Sequence, residues 1–137
     1  MSDIGLTHIA LAVHSLDESA AFYGAYAGMH VVHRRHGVVW LADGTRAFAV
    51  VLIEAAQVKP LVSPAHLGVG VASRGEVDRL CEIARRNNCL LREPEDSGPP
   101  VGYWALLRDP DGHTLEIAHG QDVGLAVATG GSTPRTS

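Results

Sequence analysis

The chain has 137 residues, of which 46% are hydrophobic and 19% charged, with a net charge of −4; that suits one compact domain rather than two independent ones. No basic run or aromatic-basic interleaving occurs, so neither nucleic acid nor an anionic membrane is an expected partner. No apolar run approaches membrane-spanning length, no basic-then-apolar leader pattern opens the chain, and the two cysteines form neither a disulfide framework nor a Cys-x-x-Cys motif; a cytoplasmic protein is expected.

In chain order, Thr7 to Ser15 reads as a strand with His8, Ala10 and Ala12 on one face and Ile9, Leu11 and Val13 on the other. Ser15, followed three places later by Glu18, is the signature of a helix start. Leu16, Ala20, Tyr23 and Ala27 then recur at helical spacing, and Gly28 is placed to end the helix. Three short strands follow, Met29 to Arg35, Val38 to Ala42 and Ala47 to Glu54, with Asp43-Gly44 turning between the last pair. A linker containing Pro60 and Pro64 leads onward.

The pattern then repeats. Ala65 to Ser73 puts Leu67, Val69 and Val71 in one row and leaves the other row to His66, Gly68 and Gly70, as a wall facing a ligand would need. Ser73 and Glu76 restate the helix start, and each serine stands seven residues beyond its histidine. Val77, Leu80, Cys81 and Ala84 form an apolar helical stripe, so Cys81 is expected to be packed and inert, and Asn87-Asn88 closes the helix. Cys89 to Arg92 is a short strand, Pro94 to Gly102 a loop, and Tyr103 to Leu107 with His113 to Ala118 a hairpin about Asp109-Pro110-Asp111-Gly112. The modules run from about 4 to 56 and 64 to 120; each is too small to bury a good core alone, so they must pack on each other or on a second chain. Residues 121–137 form a tail, and its Gly/Ser/Thr/Pro-rich end from Thr129 reads as disordered.

The second histidine strand and the last strand suggest chemistry. Glu116 shares a face with Thr114 and Ala118, while Leu115 and Ile117 point to the core. His8, His66 and Glu116 make a two-His-one-carboxylate set, which holds a divalent metal while leaving coordination positions open. Glu54 is a doubtful fourth ligand: Glu116 lies four residues after Gly112, the matching residue after Gly44 is Phe48, and Glu54 is about 20 Å further along the strand. Phe48 is therefore expected to face the site and Glu54 to be solvated. Strand alternation puts His33 opposite His30 and His36. His113 and His119 are expected to be structural, His119 being the better candidate to support a ligand from behind. Trp104 and Leu106 share parity and suit either an apolar pocket wall or core packing.

These residues resemble the vicinal oxygen chelate superfamily, which includes glyoxalase I, fosfomycin-resistance proteins, extradiol dioxygenases and bleomycin-binding proteins. The resemblance runs from Ile4 to about Gly120 and rests on Thr-His-Ile-Ala-Leu-Ala-Val, Ala-His-Leu-Gly-Val and Asp109-Pro110-Asp111-Gly112-His113-Thr114-Leu115-Glu116. It implies an α+β fold of two βαβββ modules forming an eight-stranded, cup-shaped mixed sheet. It further implies His8, His66 and Glu116 as ligands of a divalent metal (Fe, Ni, Zn, Mn or Co), a small-molecule substrate and a homodimer. Where glyoxalase I has a fourth glutamate ligand this chain has Phe48, and where bacterial forms have an arginine it has Ala12. Ala10 and Leu106 stand where fosfomycin thiol transferases have threonine and tyrosine, the tyrosine also being found in extradiol dioxygenases. The implied activity is that of a metal-dependent lyase or isomerase resembling glyoxalase I. The alternatives are an Fe(II)-dependent extradiol-type dioxygenase and a bleomycin-resistance-like binding protein without catalysis.

Overall fold

The computed structural model describes residues 2–130. The elements follow as β1 (His8–Val13), α1 (Leu16–Ala27), β2 (His30–Arg35), β3 (Val38–Ala42), β4 (Ala49–Glu54), β5 (Leu67–Gly70), α2 (Arg74–Arg86), β6 (Leu90–Asp96), β7 (Tyr103–Arg108), β8 (Thr114–His119) and α3 (Val123–Gly130). The architecture is α+β, two βαβββ modules whose strands form two four-stranded mixed sheets ordered β1-β4-β3-β2 and β5-β8-β7-β6. The chain divides into two compact units, one running up to His66 together with Arg108–Thr114, the other comprising Leu67–Leu107 and the segment from Leu115 onward. Among the described residues no helix is long and apolar enough to cross a membrane.

In the first unit, β1 pairs in parallel with β4, and β3 lies antiparallel to both β4 and β2. The serine signal works as expected: Ser15 Oγ accepts from the Glu18 N–H at 3.2 Å, and Gly28, at φ 65°, ends the helix in the left-handed conformation. Leu11, Leu52 and Val39 sit side by side across three strands and are almost fully buried. The inward side of α1 differs from the predicted stripe. Ser19, Phe22, Tyr23 and Tyr26 are buried, while Leu16, Ala20 and Ala27 are only half-buried. Aromatic rings bury far more area than alanine methyls, so the three rings decide the helix's rotation.

The turn around Pro110 belongs to this unit and is held by buried polar groups. Tyr23 Oη–H donates to Asp109 at 2.8 Å, and the other Asp109 oxygen accepts from the Asp111 and His113 backbone N–H groups. Asp111 accepts from the His14 N–H at 3.0 Å and from Ser19 Oγ at 3.3 Å. His113 Nδ1 accepts from the Leu61 N–H at 2.9 Å, leaving its Nε2–H to donate to the Ala12 carbonyl at 2.8 Å; its role is structural, as expected. Burial first, then the neighbouring Asp109 carboxylate, pushes the Tyr23 hydroxyl far above its ordinary pKa.

In the second unit β5 runs parallel to β8, and β6 is an antiparallel edge strand on β7. Ser73 Oγ accepts from the Glu76 N–H at 3.0 Å, and Val77, Leu80, Cys81 and Ala84 are buried as the helical spacing predicts. Burial raises the Cys81 thiol to about 11. Strand β6 extends through Pro94 to Asp96, where a loop was expected. Its edge position explains this, because a proline without an N–H is tolerated where no further strand must be bonded, and the register slips between Arg92 and Glu95. Residues 123–130 of the predicted tail form α3. The rest of the segment expected to be disordered, residues 131–137, lies outside the described residues.

Candidate metal centre

His8 is the first residue of β1 and is exposed; its Nδ1 lies 2.8 Å from Thr7 Oγ1, and its ring stacks on Trp40 with centroids 6.2 Å apart and planes 18° from parallel. His66 immediately precedes β5 and is also exposed. Its Nδ1 is 2.8 Å from the Pro64 carbonyl. A carbonyl can only accept, so Nδ1 carries the proton and the Nε2 lone pair of the neutral ring is available to a metal.

Glu116 differs from both in being buried, at 9% exposure, near the centre of β8. Its Oε2 accepts from Gln121 Nε2 at 2.8 Å, and no cationic side chain is paired with it among the described residues. It stands opposite Gly68, where an added Cβ would lie 3.2 Å from Oε2. The empty glycine row seen in the sequence therefore has a local cause: a side chain at 68 would press on this carboxylate. At Gly70 an added Cβ would meet nothing within 4 Å.

The donor chemistry suits a divalent ion: an imidazole whose neutral form leaves Nε2 open, a second imidazole, and a buried carboxylate whose bonded partner among the described residues is a neutral amide. His8 and His66 belong to the first unit and Glu116 to the second. Among the described residues, no group of three or more His, Cys, Asp and Glu side chains is assembled so as to hold a metal ion.

Register corrects the matching of the modules. Glu116 pairs with Gly68, two residues after His66, and the residue paired with Ala10, two after His8, is Val51. The position corresponding to Glu116 is therefore Val51, not Phe48, which stands in the β3–β4 connection ahead of β4. The two turns place their glycines differently, so counting from Gly44 and Gly112 misaligned them. Glu54, three residues beyond Val51, has the opposite parity and is exposed at the end of β4. The first module thus has an apolar residue where the second has its acid.

A second correction concerns the histidines of β2. The strand carries a bulge between Val31 and His33, so that His30 pairs with Ala42 and His33 with Trp40. Ala42 and Trp40 share a face, which places His30 and His33 together, whereas uninterrupted alternation separates them. His33 meets the Trp40 ring edge-on at 5.7 Å. Neither this contact nor the Glu116–Gln121 pair was found from sequence. A bulge leaves no mark in residue spacing, and Gln121 lay in a segment read as tail.

Trp104 and Leu106 are half-buried and lie across β7 from the fully buried Ala105 and Leu107. Trp104 Nε1–H donates to Ser97 Oγ at 2.9 Å, and Arg92 lies over the ring. His119 Nδ1 donates to the Val71 carbonyl at 3.0 Å, so it contacts backbone. It also borders a cavity of about 200 Å³ lined in addition by Arg74, Asp96 and Tyr103, to which none of the three candidate ligands contributes.

A model of the Glyoxalase/Bleomycin resistance protein/Dioxygenase superfamily matches residues 5–117. The chain belongs to this superfamily. An uncharacterised protein of Pseudomonas aeruginosa is 40% identical over 127 residues, covering 87% of this chain and 91% of the relative. Among solved structures, a possible glyoxalase from Bacillus cereus superposes with a TM-score of 0.69 at 21% identity, covering 85% of this chain and 99% of that one. The fosfomycin resistance protein FosX of Listeria monocytogenes gives a TM-score of 0.69 at 18% identity, covering 87% and 95%. At such identities the two structures establish the fold alone. The superfamily includes enzymes, and its members typically use divalent metals, bind small molecules and often form dimers.

Proposed function

We propose that this superfamily member is a cytoplasmic, metal-dependent enzyme, a lyase or isomerase of glyoxalase type, acting on a small substrate with two neighbouring oxygens. His8, His66 and Glu116 hold the metal. Glu116 is the observation that carries the reading: a carboxylate only 9% exposed, bonded to the neutral Gln121 amide and paired with no cationic side chain among the described residues, is poorly compensated and calls for a positive ion. Two further observations support it. The His66 tautomer leaves Nε2 open, and Gly68 clears the approach to Oε2.

A bound divalent ion would polarise two neighbouring substrate oxygens and favour the negative charge that develops on them. The chain's own residues do the rest. Pro64 fixes the His66 proton on Nδ1, Gln121 orients the Glu116 carboxylate, and Trp40 holds the plane of the His8 ring. Val51 at the station corresponding to Glu116 supplies no fourth carboxylate and leaves coordination positions to the substrate. The reading includes a homodimer with ligands drawn from both chains.

The test is metal analysis of freshly purified protein. About one Ni, Co or Zn per chain is expected, and H8A, H66A and E116Q should each abolish it. The H8A/E116Q heterodimer isolated from co-expressed chains should regain half of its sites if the ligands come from two chains, and none if each site lies in one. Iron together with oxygen uptake on a catechol would make the dioxygenase the correct reading. A metal-free protein with all three ligands intact would make it a binding protein.

A further inference from the structure

The face of the first sheet that carries His8 also bears groups the metal does not require. Pairing aligns Ala10, Val51, Trp40 and His33 in one row across all four strands, with His8 two residues from Ala10. Trp40 is 40% exposed although it sits in an interior strand of the sheet. Its indole is met by His8 in a near-parallel stack and by His33 edge-on. Arg35 pairs with Val38, two residues from Trp40, and so lies on the same face.

Arg35 is held in an unusual way. Its Nε–H donates to His33 Nε2 at 3.2 Å, which fixes the guanidinium beside the ring, and among the described residues no carboxylate is paired with it. Arg74, Arg79, Arg85 and Arg92, by contrast, are each paired with an Asp or Glu. No acidic residue occurs between Met29 and Ala42, a stretch with three histidines and two arginines. The surface thus combines an exposed flat π-system with a cationic fork whose outer nitrogens are open to an anion.

We propose that this face, from His8 across Trp40 to His33 and Arg35, binds a planar aromatic carboxylic acid, with the ring against the Trp40 indole and the carboxylate on Arg35. The proposal rests on the metal-site reading only in making this acid the substrate; the recognition itself requires no metal. An aromatic ring gains from offset stacking on the indole, which a saturated ring of equal size does not, and the planar guanidinium matches a carboxylate's two oxygens.

The experiment uses benzoate, added to chelator-treated full-length protein, and follows the two tryptophan indole N–H signals by NMR, assigned with W40F. Benzoate should shift the Trp40 signal saturably and leave that of Trp104 in place. R35Q should weaken binding about tenfold, the value of one charge-assisted contact, and cyclohexanecarboxylate and phenol should each bind at least several-fold more weakly. E116Q should leave the titration unchanged, so failure of the metal reading and failure of this one are separable. Equal binding of cyclohexanecarboxylate, an R35Q titration like wild type, or a Trp40 signal that responds to protein dilution but not to benzoate would overturn the proposal, the last by showing that a second chain covers the face.

Discussion

The clearance between Gly68 and Glu116 can be tested with one methyl group. Gly68→Ala introduces two opposing effects. Replacing glycine within a strand lowers the entropy lost on folding and favours the variant by about 0.5–1 kcal/mol. Against this, the new Cβ would lie 3.2 Å from Glu116 Oε2, so the carboxylate must retreat by a few tenths of an ångström while bonded to Gln121 at 2.8 Å. Straining a hydrogen bond to a charged group costs about 1 kcal/mol. The terms nearly cancel in stability, and the melting temperature should move by no more than about 4 °C. They do not cancel at the proposed metal, because a displaced donor is felt there directly: affinity should fall about tenfold, or about 1.4 kcal/mol. Gly70→Ala is the control. Nothing lies within 4 Å of its added Cβ, so it should stabilise by about 0.5 kcal/mol and leave metal binding alone. The assay is competition for Co²⁺ or Zn²⁺ against a chelator, alongside thermal melts of both variants. Equal metal affinities in the two variants would refute the reasoning, whatever the melts show.

Three other outcomes follow from the same geometry. Gln121→Leu frees the Glu116 carboxylate from its orienting donor and should lower metal affinity 10–100-fold, in the range typical of partners behind a ligand, measured by the same competition. Tyr23→Phe removes the buried bond to Asp109 and should cost about 1–3 kcal/mol in urea unfolding at pH 7. Because the folded-state pKa of Tyr23 is raised above its ordinary value of 10.0, the hydroxyl's contribution is complete below that pH and declines as pH climbs above it. Wild type should therefore lose about 1.4 kcal/mol per pH unit more than Tyr23→Phe in that alkaline range, and parallel curves would contradict the assignment. Burial lifts the Cys81 thiol to about 11, so at pH 8 a thiol reagent should label Cys89 well before Cys81; mass spectrometry of the labelled peptides reads the order.

The sequence carried most of the fold because its signals were local. Ser15 and Ser73 start helices through bonds to residues three places on, and the limits of β3 could be read from Val38 to Ala42. Where the deciding contact was distant, residue patterns misled. The bulge that brings His30 beside His33 depends on pairing with β3, and Pro94 remains in a strand because β6 lies at an edge. Counting from turn glycines selected Phe48, whereas pairing with Ala10 selects Val51. The candidate donors His8 and His66 were singled out by the setting that the duplication repeats, and Glu116 by the small residues Thr114 and Ala118 on its face. Gln121, the partner of Glu116, stands five residues beyond it, past the end of the repeat.

The turn around Pro110 bears on how the gene could be divided. Encoded with the second module, it nevertheless completes the interior of the first unit, where it receives the hydroxyls of Ser19 and Tyr23 and bridges Leu61 to Ala12 through His113. A half-gene ending in the proline-containing linker would strand those donors in an apolar interior, so such fragments should be insoluble apart and recoverable only when expressed together. If the molecule arose by doubling, the ancestral half must have obtained this turn from a second copy of itself.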